Sequence, residues 1–348
     1  MPLLWPLSVP YAAAARLRAA AYTSGVLRQR RLEARVISVG NLTVGGTGKT
    51  PMVLWIAEHL LAEGKKTGIL TRGYRGEPAK TAGSASGGAG AEGAESTSDE
   101  AQLIKARLGA HVAIGVGADR FATGRQLARE GVDWLILDDG FQHVQLARDV
   151  NLLLIDASDP FGGGRVLPAG RLREPRSALA RADIVVITRS DHAPAVETLI
   201  RRYTQVPIFY AYAQPQPVRL AGSSGGAYPG KEDPAARSKR LFAFCGIGNP
   251  GAFVSDLRAW GFHLAGSRFF RDHHRYWQGD IQAVEREALA AGAEGLICTE
   301  KDIFNLSGCR AQTLEIRYCP ITMQAPDGEG LWRAIQSKAL AAANAAPK

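Results

Sequence analysis

A glycine-rich segment between a predicted strand and a predicted helix constrains this chain more than any other feature of its sequence. Residues 36–39 are a short apolar run typical of a strand, and GGTGKTP follows at 45–51. Apolar residues then recur at helical spacing from Met52 to Ala62. Small residues in such a turn let backbone N–H groups surround phosphate oxygens, and the helix directs its N-terminal amides towards them. The arrangement therefore predicts a nucleotide-binding α/β domain.

Each residue of this segment has a specific place in the predicted phosphate site. The residues expected to contact nucleotide phosphates are Gly45, Gly46, Thr47, Gly48, Lys49 and Thr50. The Lys49 ammonium can reach the β- and γ-phosphates, and the Thr50 hydroxyl can bind Mg²⁺. The general pattern has glycine at position 43, where this chain has Thr43. The alternative is a glycine-rich turn with an incidental Lys-Thr pair, but the flanking strand and helix favour nucleotide binding.

Further apolar runs alternate with helical stretches along the chain. The predicted strands that follow the first are 67–70, 111–115, 134–137, 150–155, 184–188 and 208–212. Such alternation is typical of a mostly parallel sheet with helices on both faces, so we expect an α/β fold of the P-loop NTPase type. Residues 81–97 are almost all small or polar, which predicts a flexible loop or a local insertion.

Changes in composition divide the chain into four segments. Residues 214–239 are rich in Pro, Gly, Ser and charged residues, and a new α/β pattern begins at RLFAFCGIGNPGAF (240–253). The expected segments are an N-terminal basic amphipathic helix in 1–35, a nucleotide-binding domain in 36–212, a linker in 213–239 and a smaller α/β domain in 240–340.

Positive charge is concentrated near the N-terminus. The chain has 42 Lys+Arg and 33 Asp+Glu, a formal net charge of +9, and residues 1–40 hold six Arg against one Glu. Such an excess predicts an anionic partner: a nucleic acid, a membrane surface or a phosphorylated substrate. Residues 11–27 combine Ala with Arg and scattered aromatic and aliphatic side chains. They predict either a basic amphipathic helix on an anionic membrane or a surface helix docked on the domain.

Several classes of protein are excluded or disfavoured. A content of 46% hydrophobic and 22% charged residues excludes a wholly disordered or collagen-like chain. Four Cys in 348 residues, with no CxxC pair, disfavour a disulfide scaffold and structural zinc and favour a reducing cytoplasmic environment. The uncharged stretch 1–15 is too short and too rich in Pro to span a membrane, and it lacks the early Lys or Arg of a signal peptide.

Acidic residues near predicted strand ends and loops provide candidate metal ligands. WLILDDGFQH (134–143) places Asp138 and Asp139 at the carboxyl edge of a strand, where P-loop enzymes hold Mg²⁺, although such acids are also common turn formers. GRVLPAGRLREP (164–175) supplies arginines that can clamp phosphates, and Glu174 that can complete a metal site. The alternative for this segment is a basic surface loop.

Two further segments carry candidate acid–base residues. SDE (98–100) opens a predicted helix with Ser98 as its N-cap. Asp99 is then either a general base near the γ-phosphate or an acid that complements the helix dipole. RDHHRYW (271–277) has two adjacent His without the spacing of a zinc site. One of them can orient a carboxylate base across a domain cleft, unless both are buried structural residues.

Eight motifs occur in order along the chain. They are VGNLTVGGTGKTP (39–51), TRGYRG (71–76), SDE (98–100), LDDGFQH (137–143), LPAGRLREP (167–175), CGIGNP (245–250), DHH (272–274) and TEKD (299–302). In this combination the chain resembles the tetraacyldisaccharide 4′-kinase family, the lipid A 4′-kinases of Gram-negative bacteria. The resemblance covers nearly the whole sequence.

The resemblance implies a reaction, a cellular location and an architecture. ATP would give its γ-phosphoryl group to the 4′-hydroxyl of an acylated glucosamine disaccharide 1-phosphate, and the product would be lipid IVA. The family also implies Mg²⁺, two α/β/α domains joined by a short β linker, and peripheral association with the cytoplasmic face of the bacterial inner membrane through the N-terminus.

The resemblance also implies roles for individual residues. Lys49 would hold the β- and γ-phosphates, and the metal candidates are Thr50, Asp138, Asp139 and Glu174. Asp99 matches the family's catalytic carboxylate. Its partner would be His273 or His274, of which we favour His273, and closure of the cleft between domains would bring the two together.

A membrane-associated P-loop ATPase or GTPase switch that acts through a protein partner is the alternative function. TRSD (188–191) lies where GTPases carry a guanine-reading motif, but Arg189 replaces its Lys, so guanine recognition is not supported. A nucleic-acid-binding protein would explain the charge, but zinc, helix-turn-helix and RNA-binding signatures are lacking. We therefore expect no nucleic-acid partner and no obligate protein partner.

Overall fold

The computed structural model of the chain describes residues 5–73, 98–221 and 228–345. Within these ranges helices and strands alternate in an α/β fold, as predicted. The stretch 81–97, predicted as a flexible loop, and the last three residues of the TRGYRG motif lie outside the described residues.

The elements are numbered in chain order. The helices are α1 (Trp5–Thr23), α2 (Lys49–Ala62), α3 (Asp99–Leu108), α4 (Arg120–Arg129), α5 (Pro194–Arg201), α6 (Pro250–Ala259), α7 (Gln278–Ala290), α8 (Glu300–Asn305) and α9 (Gly328–Ala345). The strands are β1 (Arg35–Asn41), β2 (Thr67–Thr71), β3 (Val112–Val116), β4 (Trp134–Asp138), β5 (Val150–Asp156), β6 (Ile184–Thr188), β7 (Ile208–Pro215), β8 (Arg219–Leu220), β9 (Arg240–Cys245), β10 (His263–Phe269), β11 (Gly295–Thr299), β12 (Ile316–Cys319) and β13 (Ile321–Gln324).

The chain forms two compact units. The first takes the described residues within Met1–Ala101, Leu108–Tyr212 and Gln324–Lys348. The second takes those within Gln102–Arg107 and Ala213–Met323.

The first unit is built on an eight-stranded sheet in the order β13-β7-β6-β5-β1-β4-β2-β3. The pairings from β7 through to β3 are parallel. All residues of β4, β5 and β6 are buried. This explains why these strands read as continuous apolar runs, since a parallel strand between two helical layers has no solvent-facing side.

Strand β1 lies at the point where the chain changes direction across the sheet. One neighbour of β1 is β4 and the other is β5. In open parallel sheets the connections that leave such a point diverge, and the crevice between them at the carboxyl edge is where ligands bind. The loops that follow β1 and β4 are therefore the expected walls of a site.

The second unit has its own sheet, in the order β10-β9-β11-β12-β8. The pairings among β10, β9, β11 and β12 are parallel, and β8 is antiparallel to β12. Strand β8 lies in the predicted linker 213–239, so part of that segment is integrated into the second sheet. The core of this unit includes Phe242, Phe244, Ile281, Leu296 and Tyr318.

The C-terminal helix α9 belongs to the first unit, although the predicted domain 240–340 included most of it. The Trp332 indole N–H donates to Glu63 Oε1 (2.7 Å), which also accepts from Gln336 Nε2 (2.6 Å). The ring of Trp332 meets that of Trp55 edge to face at 6.2 Å. These contacts attach α9 to α2, the helix that follows the glycine-rich segment.

Helix α1 packs on the first unit through small residues. Ser8 and Ala19 are buried, and Ser8 Oγ donates to Val166 O (2.9 Å) and accepts from Ala169 N (3.1 Å). Large apolar side chains of α1 are instead exposed, Trp5 at 58% and Leu17 at 71%. None of the helices in the described ranges combines the length and the apolar character needed to cross a bilayer.

Candidate active site

The glycine-rich loop joins β1 to α2, as the sequence predicts. Gly45 (φ 127°) and Gly48 (φ 81°) have left-handed backbone conformations that residues with a Cβ rarely adopt. Gly48 is the N-cap of α2 and has no side chain with which to cap it. The first amides of α2 are thus left for another acceptor, and an anion at a helix N-terminus is a natural one.

Thr43, which stands where the general pattern has glycine, is accommodated by an extended backbone. It forms an antiparallel bridge with Leu172, and the adjacent Val44 N donates to Arg171 O (2.8 Å). A β-branched residue suits such a conformation. Thr43 therefore lies outside the left-handed turn that Gly45 and Gly48 form.

The Lys49 ammonium lies at the mouth of the loop between two acceptors. Its Nζ is 3.3 Å from Asn41 Oδ1 and 3.6 Å from Asp139 Oδ1. Asn41 also donates from Nδ2 to Thr43 O (2.8 Å). The last residue of β1 thus fixes both the start of the loop and the position of the lysine.

Two adjacent carboxylates at the end of β4 have opposite electrostatic environments. Burial, together with the charges of Glu100 and Asp139, raises the pKa of Asp138 to about 7. Within the described residues, Asp138 Oδ1 is buried and has no hydrogen-bond partner. Burial also acts to raise the pKa of Asp139, but the charges of Lys49 and Arg173 outweigh it and hold this pKa below its usual value.

The segment 164–175 brings two of its charged residues to different partners. Arg173 Nη1 donates to both oxygens of Asp139, at 2.8 and 2.6 Å. Glu174 is buried, and its two oxygens accept from Arg181 at 2.7 and 2.8 Å. Glu174 as a metal ligand stays a prediction, and it would have to exchange Arg181 for the metal.

The start of α3 lies close to the end of β4. Asp99 is buried as the first residue of α3, and its Oδ1 accepts from Glu100 N (2.9 Å). Ser98 Oγ accepts from Ala101 N (3.3 Å), which confirms the predicted N-cap. Glu100 is near enough to influence the pKa of Asp138. The fold therefore brings the SDE and LDDGFQH motifs together.

Arg120 is a buried member of this group that the motifs did not identify. It follows Asp119, the N-cap of α4, which accepts from Phe121 N and Ala122 N. Burial lowers the pKa of Arg120, and the charges of Asp138 and Asp139 oppose that effect. Within the described ranges its Nε has no hydrogen-bond partner. A buried guanidinium beside two carboxylates is a further candidate for binding phosphate, and only its position in the fold reveals it.

The two adjacent histidines of the second unit have different surroundings. His274 Nε2 lies 2.9 Å from Asp280 Oδ2, and its ring stacks on Phe270 at 4.6 Å. His273 has a left-handed backbone (φ 59°), and its Nε2 is 3.9 Å from Asp272 Oδ1. His274 is therefore held by contacts within its own unit. The predicted partner of Asp99 is His273. That pairing joins residues of different units and stays a prediction.

In the described part of the chain, carboxylates alone do not form a metal centre. Across the described residues, no group of three or more His, Cys, Asp or Glu is placed to hold a metal ion. Mg²⁺ is commonly bound through one or two carboxylates together with substrate phosphates and water. Thr50 in the first turn of α2 and the carboxylates at the end of β4 are oxygen ligands suited to that mode, in which the nucleotide supplies further ligands.

Comparisons with known proteins agree along nearly the whole chain. The family model described as Tetraacyldisaccharide-1-P 4′-kinase matches residues 1–340. The Tetraacyldisaccharide 4′-kinase of Geobacter metallireducens is 43% identical over 314 residues, 88% of each chain. That of Pelobacter propionicus is 40% identical over 318 residues, 90% of this chain and 86% of the relative.

A solved structure agrees with the fold as well. The crystal structure of the "apo" form of LpxK from Aquifex aeolicus in complex with ATP has a TM-score of 0.70 and 30% sequence identity. The match covers 97% of this chain and 98% of that one. From the family match, the similar relatives and this shared fold, it follows that the chain belongs to the tetraacyldisaccharide-1-P 4′-kinase family.

Proposed function

We propose that this chain transfers the γ-phosphoryl group of ATP to the 4′-hydroxyl of a tetraacylated glucosamine disaccharide 1-phosphate, which yields lipid IVA. Membership of the family makes the chain a kinase that phosphorylates an alcohol group. The observation that carries the proposal is Lys49, held at the mouth of a glycine-rich loop by Asn41 and Asp139. This places a phosphate-binding cation at the carboxyl edge of the sheet, where nucleotides bind.

When ATP binds, Lys49 and Arg173 would exchange their partner Asp139 for phosphate oxygens. Asp139 balances Lys49 and Arg173 in this structure. Triphosphate oxygens would compete for both cations, while the α2 amides and the loop glycines surround the β- and γ-phosphates. Phosphoryl transfer depends mainly on positioning and charge neutralisation, and Lys49, Arg173 and Arg120 supply positive charge around one crevice.

The residues present fit a magnesium ion. The unpartnered Oδ1 of buried Asp138 is a hard oxygen ligand, as is the Thr50 hydroxyl at the start of α2. Thr50, Asp138 and Asp139 would hold the ion, and Glu174 would join them once released from Arg181. When bound, the ion neutralises charge on the β- and γ-phosphates.

Asp99 accepts the proton of the attacking hydroxyl in this proposal. The 4′-oxygen forms a bond to the γ-phosphorus while the bond from that phosphorus to the bridging oxygen breaks, and ADP leaves. The proton of the 4′-hydroxyl passes to Asp99, whose carboxylate is oriented by His273.

Transfer of ³²P from labelled ATP to the disaccharide 1-phosphate tests the proposal. Asp99→Ala should lower kcat by about 10²- to 10⁴-fold, since a lost general base has that effect, with little change in the KM for ATP. Lys49→Ala should abolish transfer. Asp133→Ala, at the opposite edge of the sheet, is the matched control and should behave like wild type.

Two outcomes would contradict these assignments. Normal turnover in Asp99→Ala with weakened ATP binding would show that Asp99 is not the general base. Wild-type activity in Lys49→Ala would show that the glycine-rich loop does not bind the phosphates of ATP. Rapid hydrolysis of nucleotide without any disaccharide would favour the alternative of a P-loop switch.

Helix α1 supports a peripheral position at the cytoplasmic face of the inner membrane. Its docked face uses small residues, so Leu17 remains exposed beside Arg16 and Arg18, and Trp5 remains exposed at the start of the helix. Apolar side chains flanked by arginines match an anionic lipid surface, where the acylated substrate would also reside.

Sedimentation with vesicles tests this location. Leu17→Glu should reduce binding to vesicles that contain phosphatidylglycerol. Leu289→Glu is the matched control, since Leu289 is exposed on α7 of the second unit. Equal binding by wild type and Leu17→Glu would refute the role of α1.

A further inference from the structure

Three motifs of the second unit that are far apart in sequence meet at one buried carboxylate. Asp302, the last residue of TEKD, is fully buried. It contacts Gly246 of the CGIGNP motif and Tyr276, which follows the DHH motif. The phosphate site described above does not use this residue.

The two carboxylate oxygens of Asp302 have different hydrogen-bond partners. Oδ2 accepts from Thr299 Oγ1 (2.5 Å) and Thr299 N (3.3 Å), while Asp302 N donates to Thr299 Oγ1 (3.2 Å). This is the capping box of α8. Oδ1 instead accepts from Gly246 N and from the Tyr276 hydroxyl, both at 2.8 Å. A capping role accounts for Oδ2 but leaves the contacts of Oδ1 unexplained.

The Tyr276 hydroxyl is a firm donor in this arrangement. Burial, and then the charge of Asp302, raises the pKa of Tyr276 well above its usual value, so the hydroxyl keeps its proton. The backbone of Tyr276 is anchored separately, since its N–H donates to Asn305 O (3.0 Å). The end of the histidine segment is thus attached to α8 at two points.

Gly246 connects Asp302 to residues 270–274, the turn that carries the two histidines (the histidine turn). Its carbonyl accepts from His273 N (3.0 Å), and the preceding Cys245 O accepts from Phe270 N (2.9 Å). The approach is close: a Cβ on Gly246 would lie 3.0 Å from His274 Cβ and 3.1 Å from Arg271 O. His273 itself has a left-handed backbone, a conformation that persists only where surrounding contacts hold it.

We propose that Asp302 is a positioning residue for phosphoryl transfer, which acts by holding Gly246 so that the turn presents the His273 imidazole. The chain of contacts runs from Asp302 Oδ1 through Gly246 N and O to His273 N. The inference rests on the proposed function, because it requires His273 to act on Asp99. It extends that function to a buried acid about 30 residues along the chain from the histidine it positions.

A double-mutant cycle tests whether Asp302 acts through His273. Asp302→Ala should lower kcat about tenfold or more, since small misplacements of a reacting group are costly, with the KM for ATP unchanged. Asp302→Asn keeps an oxygen that can accept from Gly246 N, and should recover part of that loss. In a His273→Ala background, Asp302→Ala should change kcat less than twofold.

Hydrogen exchange supplies a readout that does not depend on activity. In Asp302→Ala, the amides of peptides that cover 245–250 and 270–276 should exchange faster, because Gly246 N–H loses its acceptor. Peptides of β1 and α2 in the first unit should be unaffected.

Glu285→Gln is the matched control for loss of a buried acid in the same unit. Glu285 accepts from the amides of Gln312, Thr313 and Leu314 at 2.6–2.8 Å, none of which belongs to the histidine turn. This variant should lower the thermal stability and leave kcat near the wild-type value. Asp302→Asn also serves if Asp302→Ala does not fold.

The outcomes separate this inference from the function on which it rests. Wild-type kcat in His273→Ala would show that His273 has no role in catalysis, and this would refute the inference. The kinase activity itself could still be confirmed by the transfer assay. A slow His273→Ala that Asp302→Ala slows tenfold further would show that Asp302 is only structural. Unchanged exchange at 245–250 would overturn the proposed contact.

Discussion

Gly40, in the strand that leads into the glycine-rich loop, lies directly against Phe141, two residues after Asp139. It is the next to last residue of β1. A Cβ at this position would lie 2.6 Å from both Cβ and N of Phe141 and 3.2 Å from its Cα. Ordinary contacts begin at 3.4–4 Å, so Gly40→Ala must push the two segments apart by about 1 Å. We expect this substitution to affect both stability and catalysis.

The surroundings of Phe141 limit how this strain can be relieved. Phe141 is fully buried, with the Arg181 guanidinium 4.7 Å from its ring centroid. Overpacking of a tight core costs about 1–3 kcal/mol. In a domain of 150–250 residues that lowers the melting temperature by roughly 2–12 °C. Since Asp139 is two residues from Phe141, a shift of about 1 Å should also lower kcat by on the order of 10²-fold.

Calorimetry and the ³²P transfer assay measure the two effects on the same preparation. The matched control is Gly279→Ala in α7, where a Cβ would meet nothing within 4 Å. That control should keep both the melting temperature and kcat. A Gly40→Ala variant with wild-type melting and turnover would refute the argument that the two segments are held at this distance.

Two other substitutions probe buried carboxylates. Arg181→Ala removes both donors from Glu174. Because breaking a buried pair costs about 3–5 kcal/mol, denaturant unfolding should show a decrease of that size in the free energy of unfolding. A decrease below about 1 kcal/mol would show that the pair does not stabilise the fold. Three backbone amides overcome burial and hold the pKa of Glu285 below its ordinary 4.5. Its contribution is therefore present above pH 4.5 and lost as the pH falls through the lowered pKa. Glu285→Gln should reduce the free energy of unfolding at neutral pH and make it depend less on pH below about pH 4.5. An unchanged pH dependence below about pH 4.5 would contradict the lowered pKa of Glu285.

Local sequence patterns are sufficient to predict most elements of the first sheet. Buried parallel strands such as β4 and β5 are continuous apolar runs, and the glycines of 45–48 match a loop that needs left-handed backbone. The capping role of Ser98 follows from the residue types at a helix start. Each of these features depends on neighbours within a few residues, so the sequence alone displays it.

Side-chain partners that are distant in sequence are not visible in this way. Glu174 has the residue type of a metal ligand, but the fold places Arg181 against both its oxygens. Arg120 belongs to no motif, and burial beside Asp138 and Asp139 makes it a candidate. A motif shows which residue types are present. Whether another side chain competes for the same carboxylate depends on which distant segments the fold brings into contact.

The assignment of α9 shows the same limit at the level of whole elements. Its position in the chain after β8–β12, the strands of the second sheet, suggests the second domain, yet Trp332 and Gln336 bind Glu63 at the end of α2. The phosphate loop, the parallel α/β pattern and the family resemblance can all be predicted from local motifs in the sequence. Which buried charges meet follows from the folded chain, because burial and pairing are set by contacts between segments tens to hundreds of residues apart.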